Sequence, residues 1–304
     1  TQRSPVRILV PRPCVTSPLV WGWFFFVSKL ADMSVQPRVS LGQFAPGVDP
    51  ASNLRALREQ VLAARKAGST LAVFPEYSFS FEPGGVRSGV PVESLDGSWV
   101  ASLSELSAEA EGITIVAGAL LAKQSVDKPV NTMVAVGPQG VLATAEKIHL
   151  YDAFGASESE WISPGDAGQV HLFEWAGFQV GMMACYDLRF PEVGRALVDA
   201  GATAIVVPAQ WVPGEDKVLH WDTLLRSRAI ELQCSVIAVN HPLPHGIGHS
   251  QVFDASGHVV LRLGEQEILG TAYCELQMVE QARSINPMGS VRRFDVAAKR
   301  ATQP

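Results

Sequence analysis

The sequence contains few cysteines, and none of them stand close together. The four cysteines in this chain of 304 residues are Cys14, Cys185, Cys234 and Cys274. Their spacing excludes a CxxC redox motif and a cysteine-rich zinc site, and four cysteines in so long a chain do not form a disulfide scaffold. We therefore expect free thiols, no metal site and a reducing, cytoplasmic compartment.

The sequence also lacks an excess of positive charge and a long apolar run. The net charge is −6, so the electrostatic footprint of a nucleic-acid-binding protein is absent. A membrane span needs about 20 apolar residues, and the aromatic-rich run at 19–27 is too short. We expect neither a nucleic acid nor a membrane as a partner.

No Gly/Ser-rich linker, charge block or internal repeat interrupts the chain after about residue 37. We therefore expect one domain at 37–280, preceded by a poorly ordered extension at 1–36 and followed by a tail at 281–304. Met33 stands just before the first convincing strand, so residues 1–32 are interpreted as an upstream extension. The alternative is a targeting segment, because three arginines precede the apolar run.

The apolar pattern predicts an α/β fold. Strand patterns alternate with helical ones, such as the helix that begins at Asp49-Pro50 with a capping residue and a first-turn proline. Hairpins, one of them turning at Ala176-Gly177, are mixed with these strand–helix units, and this mixture indicates sheets with both parallel and antiparallel strands. The number of strands favours two sheets with helices on the outside.

Cys185 is the most informative residue in the sequence. The apolar run Val180–Ala184 ends at this cysteine, and a polar turn and a helix start follow. Such a pattern places the thiol at the carboxyl end of a buried strand, where open α/β sheets bind their substrates. The amides at the start of the helix could lower the pKa of the thiol and bind an oxyanion. The other three cysteines lack this setting and are interpreted as structural.

Two further strand ends carry groups that such a thiol would need. Glu76 directly follows the predicted strand 70–75, and the aromatic residues after it offer apolar walls around a general base. Lys147 closes the pattern 141–147 and could stabilise a developing oxyanion. A nucleophile, a carboxylate base and a fixed cation together favour hydrolysis of a carbon–nitrogen bond.

The chain resembles the nitrilase superfamily of carbon–nitrogen hydrolases over about residues 38–275. The resemblance rests on FPEYSFS around Glu76, EKIHLYDAFG around Lys147 and GMMACYDLRFPE around Cys185, with weaker matches such as PAQW at 208–211. It implies a four-layer α-β-β-α sandwich with two mixed β-sheets. It also implies Glu76 as base, Lys147 as oxyanion stabiliser and Cys185 as nucleophile.

The resemblance points to a second glutamate in the loop after the lysine, which is Glu158, with Glu160 as the competitor. Further site residues are expected in three groups. The backbone N–H of Tyr186 would assist the oxyanion, and Arg189 would form either a structural ion pair or, with Lys217, a contact to a substrate carboxylate. The expected pocket walls are Phe79, Phe81, Tyr151, Phe154 and Trp211.

The branch of the superfamily that the sequence resembles most contains omega-amidases and deaminated glutathione amidases. This resemblance implies an amidase that converts a small carboxamide to an acid and ammonia through a thioester, without a cofactor. A nitrilase and an N-carbamoyl amino acid hydrolase use the same groups and stay as alternatives, as does an inactive binding protein on the same fold. The resemblance also implies a homodimer or larger homo-oligomer that associates through about residues 185–200.

Overall fold

The computed structural model describes residues 37–83 and 90–298. Within these residues twelve strands form two six-stranded sheets. The strands of the first sheet are β1 (Arg38–Gln43), β2 (Leu71–Val73), β3 (Thr114–Leu121), β4 (Val130–Gly137), β5 (Gly140–Glu146) and β12 (Ile268–Tyr273). The strands of the second sheet are β6 (Leu172–Trp175), β7 (Phe178–Met182), β8 (Ala204–Ala209), β9 (Ser235–Asn240), β10 (Gln251–Phe253) and β11 (Val259–Arg262).

Six α-helices accompany the strands in the described ranges. They are α1 (Pro50–Lys66), α2 (Ser98–Glu109), α3 (Pro191–Asp199), α4 (Lys217–Leu232), α5 (Leu276–Ile285) and α6 (Met288–Val291). The predicted start of α1 is confirmed, because the Asp49 carboxylate accepts hydrogen bonds from the backbone N–H groups of Ala51 and Ser52. None of the helices in the described residues is long and apolar enough to cross a membrane.

Both sheets are mixed, as the sequence predicts. The first sheet has the order β12-β1-β2-β3-β4-β5, and its strands β1, β2 and β3 run parallel. The second sheet has the order β11-β10-β9-β8-β7-β6, with β7, β8 and β9 parallel. The remaining neighbours pair antiparallel. Each sheet therefore has a parallel centre whose strand ends can deliver functional side chains to one place.

Three clusters of buried side chains lie between the layers of the fold. The middle cluster lies between the sheets and joins Val73 and Met133 of the first sheet to Val180 and Val206 of the second. A second cluster packs α1 and α2 against the outer face of the first sheet, and a third packs α3 and α4 against the second sheet. The order of layers is α-β-β-α, which confirms the predicted sandwich.

Helix α5 crosses residue 280, where the sequence places the end of the domain. Val279 is buried in the cluster between the sheets. Arg283 donates hydrogen bonds to the carbonyl oxygens of Ala202 and Gln233, which ties the second half of the helix to the body. The expectations for residues 1–36, and for the end of the tail after residue 298, lie outside the described residues.

Candidate active site

Glu76, Lys147 and Glu158 form a buried charge cluster at the carboxyl end of the first sheet. The Lys147 ammonium nitrogen lies 2.9 Å from an oxygen of Glu76 and 2.9 Å from an oxygen of Glu158. All three side chains are buried. Burial alone would lower the pKa of Lys147, but the charges of Glu76 and Glu158 outweigh it and raise that pKa well above its usual value. The lysine is therefore a fixed cation in this site.

The Glu76 carboxylate is held at both oxygens. One oxygen accepts hydrogen bonds from Lys147 and, at 2.7 Å, from the side-chain amide of Asn131. The other accepts from the backbone N–H of Gln210, which follows β8, at 2.7 Å. A carboxylate that accepts three hydrogen bonds in this way has a fixed orientation, and the bond to Gln210 links the carboxyl ends of the two sheets.

The backbone around Glu76 is fixed by contacts from two further strands. The His241 Nε2 lies 2.6 Å from the Glu76 carbonyl oxygen, to which it donates a hydrogen bond. On β3, Gly118 allows a close approach, because a Cβ there would lie 2.8 Å from the Tyr77 nitrogen and 2.9 Å from the Glu76 Cα. Tyr77 itself has a positive φ of 58°. The strand end that carries Glu76 is therefore held from several sides.

Cys185 lies beside this charge cluster and opens to a cavity. It is 7% exposed and has a positive φ of 44°, a backbone conformation that residues other than glycine rarely adopt. Burial, followed by the charge of Glu76, raises the pKa of the Cys185 thiol well above its usual value, and Lys147 opposes this effect only in part. The thiol is therefore protonated at neutral pH.

The expectation that a following helix lowers the pKa of Cys185 is wrong. The residues directly after the thiol, Cys185–Arg189, form a short 3₁₀ turn, and α3 begins only at Pro191. Desolvation and a neighbouring carboxylate both disfavour the thiolate, and they outweigh any effect of the turn. A thiol in this state needs a base before it can attack, and Glu76 is placed to be that base.

Glu158 lies in the charge cluster, whereas Glu160 is exposed at the protein surface. Besides Lys147, Glu158 accepts hydrogen bonds from the Tyr77 hydroxyl and, at 2.6 Å, from the backbone N–H of Tyr151. Burial, and then the charges of Glu158 and Glu76, raise the pKa of Tyr77 well above its usual value. Tyr77 therefore stays protonated and can donate to the carboxylate.

The cavity in front of Cys185 has a volume of about 400 Å³. Its walls are partly aromatic, and they include the predicted Phe81, Tyr151, Phe154 and Trp211. Tyr186, whose backbone N–H the sequence assigns to the oxyanion, also lines the cavity. Of the predicted aromatic walls, Phe79 packs instead in the cluster beneath the first sheet. A cavity of this size and lining suits a small molecule.

Two cations face the cavity without a carboxylate partner among the described residues. The Arg189 guanidinium stacks 4.6 Å from the centre of the Trp211 ring, so the expected structural ion pair of Arg189 is not formed within the described part of the chain. The Lys217 ammonium donates to the Tyr151 hydroxyl at 3.0 Å and lies 3.9 Å from the centre of the Phe154 ring. Burial, and then the charge of Arg189, lower the pKa of Lys217.

Sequence reasoning missed several residues that shape the site. Asn131 is a buried polar residue in the largely apolar strand β4, and that position was a usable signal, because buried polar groups are nearly always hydrogen-bonded. Gln210 acts on Glu76 through its backbone N–H, so its side chain gives no signal. Tyr77 and His241 act through tertiary contacts to Glu158 and Glu76.

Within the described residues, no group of three or more acidic, histidine or cysteine side chains could hold a metal.

The two-sheet sandwich, with a buried glutamate–lysine–glutamate cluster beside a cavity thiol, defines a carbon–nitrogen hydrolase. The family model for carbon–nitrogen hydrolases matches residues 38–284, and this chain belongs to that family. The protein is thus an enzyme that hydrolyses carbon–nitrogen bonds.

Three similar proteins show how far the likeness extends. A hydrolase of Mycobacterium tuberculosis is 34% identical over 267 residues, which cover 81% of this chain and 92% of the relative. A deaminated glutathione amidase of Bos taurus is 32% identical over 286 residues, covering 88% and 85% of the two chains. The crystal structure of a CN-hydrolase superfamily protein from Xanthomonas campestris, with an arsenic adduct in its active site, has a TM-score of 0.75 and 28% identity. It covers 86% of this chain and 99% of its own.

Proposed function

We propose that this enzyme is a cysteine-dependent amidase that converts a small carboxamide to a carboxylic acid and ammonia. The observation that carries the proposal is the Glu76–Lys147–Glu158 cluster beside a protonated thiol that lines a partly aromatic cavity. A base, a fixed cation and a nucleophile are the three groups that acyl transfer from an amide requires.

The first half of the reaction forms a thioester on Cys185. Glu76 accepts the thiol proton while the sulfur bonds to the amide carbon, and the carbonyl oxygen becomes an oxyanion. The Lys147 ammonium and the backbone N–H of Tyr186 stabilise this oxyanion, and the loss of one such donor typically costs about 10²–10³ in rate. Protonated Glu76 then gives its proton to the nitrogen, the carbon–nitrogen bond breaks, and ammonia leaves.

The second half of the reaction hydrolyses the thioester. Glu76, again a carboxylate, accepts a proton from a water molecule as the water oxygen bonds to the acyl carbon. The carbon–sulfur bond then breaks, and the proton held by Glu76 returns to the sulfur of Cys185. The acid leaves, and the enzyme regains its neutral thiol and its carboxylate, so no external acid or base is consumed.

Arg189 and Lys217 support a substrate with a carboxylate at the end remote from the amide. Both cations line the cavity, and no described residue gives either of them a carboxylate partner. A charge-assisted hydrogen bond to a carboxylate contributes about 1.5–3 kcal/mol. The amidase names of the relatives agree with an amide as substrate.

A panel of small substrates tests this function by ammonia release. The monoamide of a short dicarboxylic acid should exceed a neutral amide of equal length by about tenfold to a hundredfold in kcat/KM. Arg189→Gln should abolish this preference, whereas Arg195→Gln on α3 should keep it.

The alternatives give different results in the same panel. Equal or faster turnover of nitriles would transfer the assignment to a nitrilase, and turnover of ureido acids would transfer it to an N-carbamoyl hydrolase. Ammonia from none of the compounds, with a folded protein that still binds them, would favour an inactive binding protein on this fold.

A further inference from the structure

Asp187 is a buried carboxylate, two residues after Cys185, that accepts four hydrogen bonds. One of its oxygens lies 2.8 Å from the backbone nitrogen of His149 and 2.8 Å from the His149 Nδ1. Its other oxygen lies 3.3 Å from the backbone nitrogens of Ile148 and Ala184. Asp187 is 1% exposed. Both oxygens of its carboxylate therefore accept hydrogen bonds from N–H donors.

These donors belong to the two segments that carry the reacting groups. Ile148 and His149 directly follow Lys147, whereas Ala184 directly precedes Cys185. The Asp187 carboxylate thus joins the end of the segment that presents the ammonium to the turn that presents the thiol. Asp187 is not among the described residues that line the cavity, so it makes no direct contact with the space for the substrate.

The backbone at Cys185 needs such a restraint. The φ of 44° at Cys185 is a conformation that surrounding contacts must hold in place. The Asp187 backbone N–H donates to the Ala184 carbonyl oxygen at 2.9 Å, while the Ala184 N–H donates back to the Asp187 carboxylate. This reciprocal pair closes the turn around Cys185.

The His149 ring fixes the other side of the same carboxylate. Its ring is stacked on Phe190 with the centroids 3.6 Å apart and the planes 4° from parallel. Stacking sets the plane of the imidazole, so that Nδ1 points at Asp187. Phe190 directly follows the 3₁₀ turn, and the stack therefore ties the C-terminal end of the turn to the lysine segment.

We propose that Asp187, held by His149, is a positioning residue that sets the distance and direction between the Cys185 thiol and the Lys147 ammonium. The inference rests on the proposed function, because it assigns those two groups to the reaction. A misplacement of about 1 Å between reacting groups can cost about a hundredfold in rate. Replacement of the carboxylate by an amide would bring an NH₂ group against backbone N–H donors, and the turn would have to move.

The test compares Asp187→Asn and His149→Phe with a matched pair elsewhere in the chain. Asp254 makes the same kind of contacts in a surface turn, since it accepts from the backbone nitrogens of Ser256 and His258 and contacts the His258 Nδ1. Asp254→Asn and His258→Phe therefore remove equivalent bonds far from Cys185. For each variant we would measure the melting temperature, kcat, KM and the rate at which iodoacetamide alkylates Cys185.

The expected result is specific to the reacting groups. Asp187→Asn should lower kcat about a hundredfold with KM changed less than about fivefold. The pH dependence of kcat should keep its shape, with only the maximal value lowered. Alkylation of Cys185 should slow at least about tenfold; iodoacetamide is uncharged and needs no contact with Arg189. His149→Phe keeps the stack on Phe190 and should lower kcat by about tenfold. Both control variants should keep kcat and the alkylation rate within about twofold.

Two outcomes would overturn the inference. Folded Asp187→Asn with native kcat and alkylation rate would show that the carboxylate does not position the thiol. If Asp187→Asn does not fold, His149→Phe decides, and native kcat in that variant would contradict the proposal. Activity that survives in Cys185→Ala would instead contradict the proposed function itself, so the two failures are distinguishable.

Discussion

The two buried glutamates around Lys147 serve different parts of the proposed cycle. A buried lysine without partners loses its proton readily, because desolvation disfavours the charged form. Glu76 becomes neutral when it takes the thiol proton, and Glu158 is then the carboxylate in contact with Lys147 that still carries a negative charge. In the proposed cycle Glu158 therefore helps to keep Lys147 protonated while Glu76 is neutral, and the Tyr77 hydroxyl holds Glu158 by a hydrogen bond.

Glu158→Gln tests this role, with Glu160→Gln as its control. The amide keeps the size of the side chain but removes the charge-assisted bond to Lys147, which contributes about 1.5–3 kcal/mol. We expect kcat to fall about tenfold to a hundredfold in Glu158→Gln and to change less than about twofold in Glu160→Gln, measured by ammonia release. The reverse ranking would move the role to Glu160.

At the scale of single residues, the sequence predicts which side chains react. It does not predict most of the hydrogen bonds that hold those side chains in place. Glu76, Lys147 and Cys185 can be predicted because each closes a strand pattern and the segments around them resemble those of a known family, and the structure brings the first two into contact beside the third. The contacts of Gln210 and His241 to Glu76 could not be predicted, because these residues follow strands that lie far from Glu76 in the sequence.

The strands position the site through close backbone approach as well as through side chains. The predicted strand before Glu76 is present as β2, and the predicted hairpin that turns at Ala176-Gly177 is present as the pair β6–β7. No local sequence pattern specifies how the strands are placed relative to one another. Their placement follows from packing between the two sheets, which local periodicity does not specify.

Gly118→Ala tests the close approach of β3 to Glu76. The added Cβ would meet backbone atoms at 2.8 Å and 2.9 Å, so the segment that carries Glu76 would have to shift. We expect kcat to fall at least about tenfold, with a lower melting temperature. Gly264→Ala is the control, because a Cβ there meets nothing within 4 Å. Native kcat in Gly118→Ala would show that this approach does not position the base.

His241, directly after β9, makes the stability of the fold sensitive to acid. Burial lowers its pKa from the usual 6.5 to about 4, against the opposing hydrogen bond to the Glu76 carbonyl oxygen. Between these two values the unfolded chain binds a proton that the folded chain does not, so stability falls as the pH falls from 6.5 towards 4.

The size of this effect can be measured by urea unfolding. Between pH 7 and pH 5 the native protein should lose about 2 kcal/mol more stability than His241→Gln, at about 1.4 kcal/mol for each pH unit within the window. His258→Gln, at an exposed histidine, should follow the native protein. Equal losses in the native protein and in His241→Gln would show that His241 is not the titrating group.

At the scale of the whole molecule, homo-oligomerisation stays a prediction. Within the interface that the resemblance implies at 185–200, Val193 and Leu197 are used inside the chain, since both are buried in the cluster that packs α3 and α4 against the second sheet. The cytoplasmic location likewise stays a prediction, as does the interpretation of residues 1–32 as an upstream extension.

Sedimentation can test the oligomer. We expect at least twice the chain mass of 32.7 kDa, and we expect Ala196→Arg, on the outer part of α3, to give monomers. Ala101→Arg on α2 places the same charge on the opposite layer and should leave the mass unchanged. A native protein of single-chain mass would contradict the prediction.

In the proposed cycle Cys185 carries the acyl group, and this can be tested by acid quenching during turnover. With the monoamide of a dicarboxylic acid, intact-mass and peptide analysis should show an adduct equal to the substrate less ammonia, on the peptide that contains Cys185. The adduct and turnover should both persist in Cys234→Ala, whose thiol is fully buried, and both should vanish in a folded Cys185→Ala. Turnover by Cys185→Ala, or an acyl group on any other residue, would contradict the account.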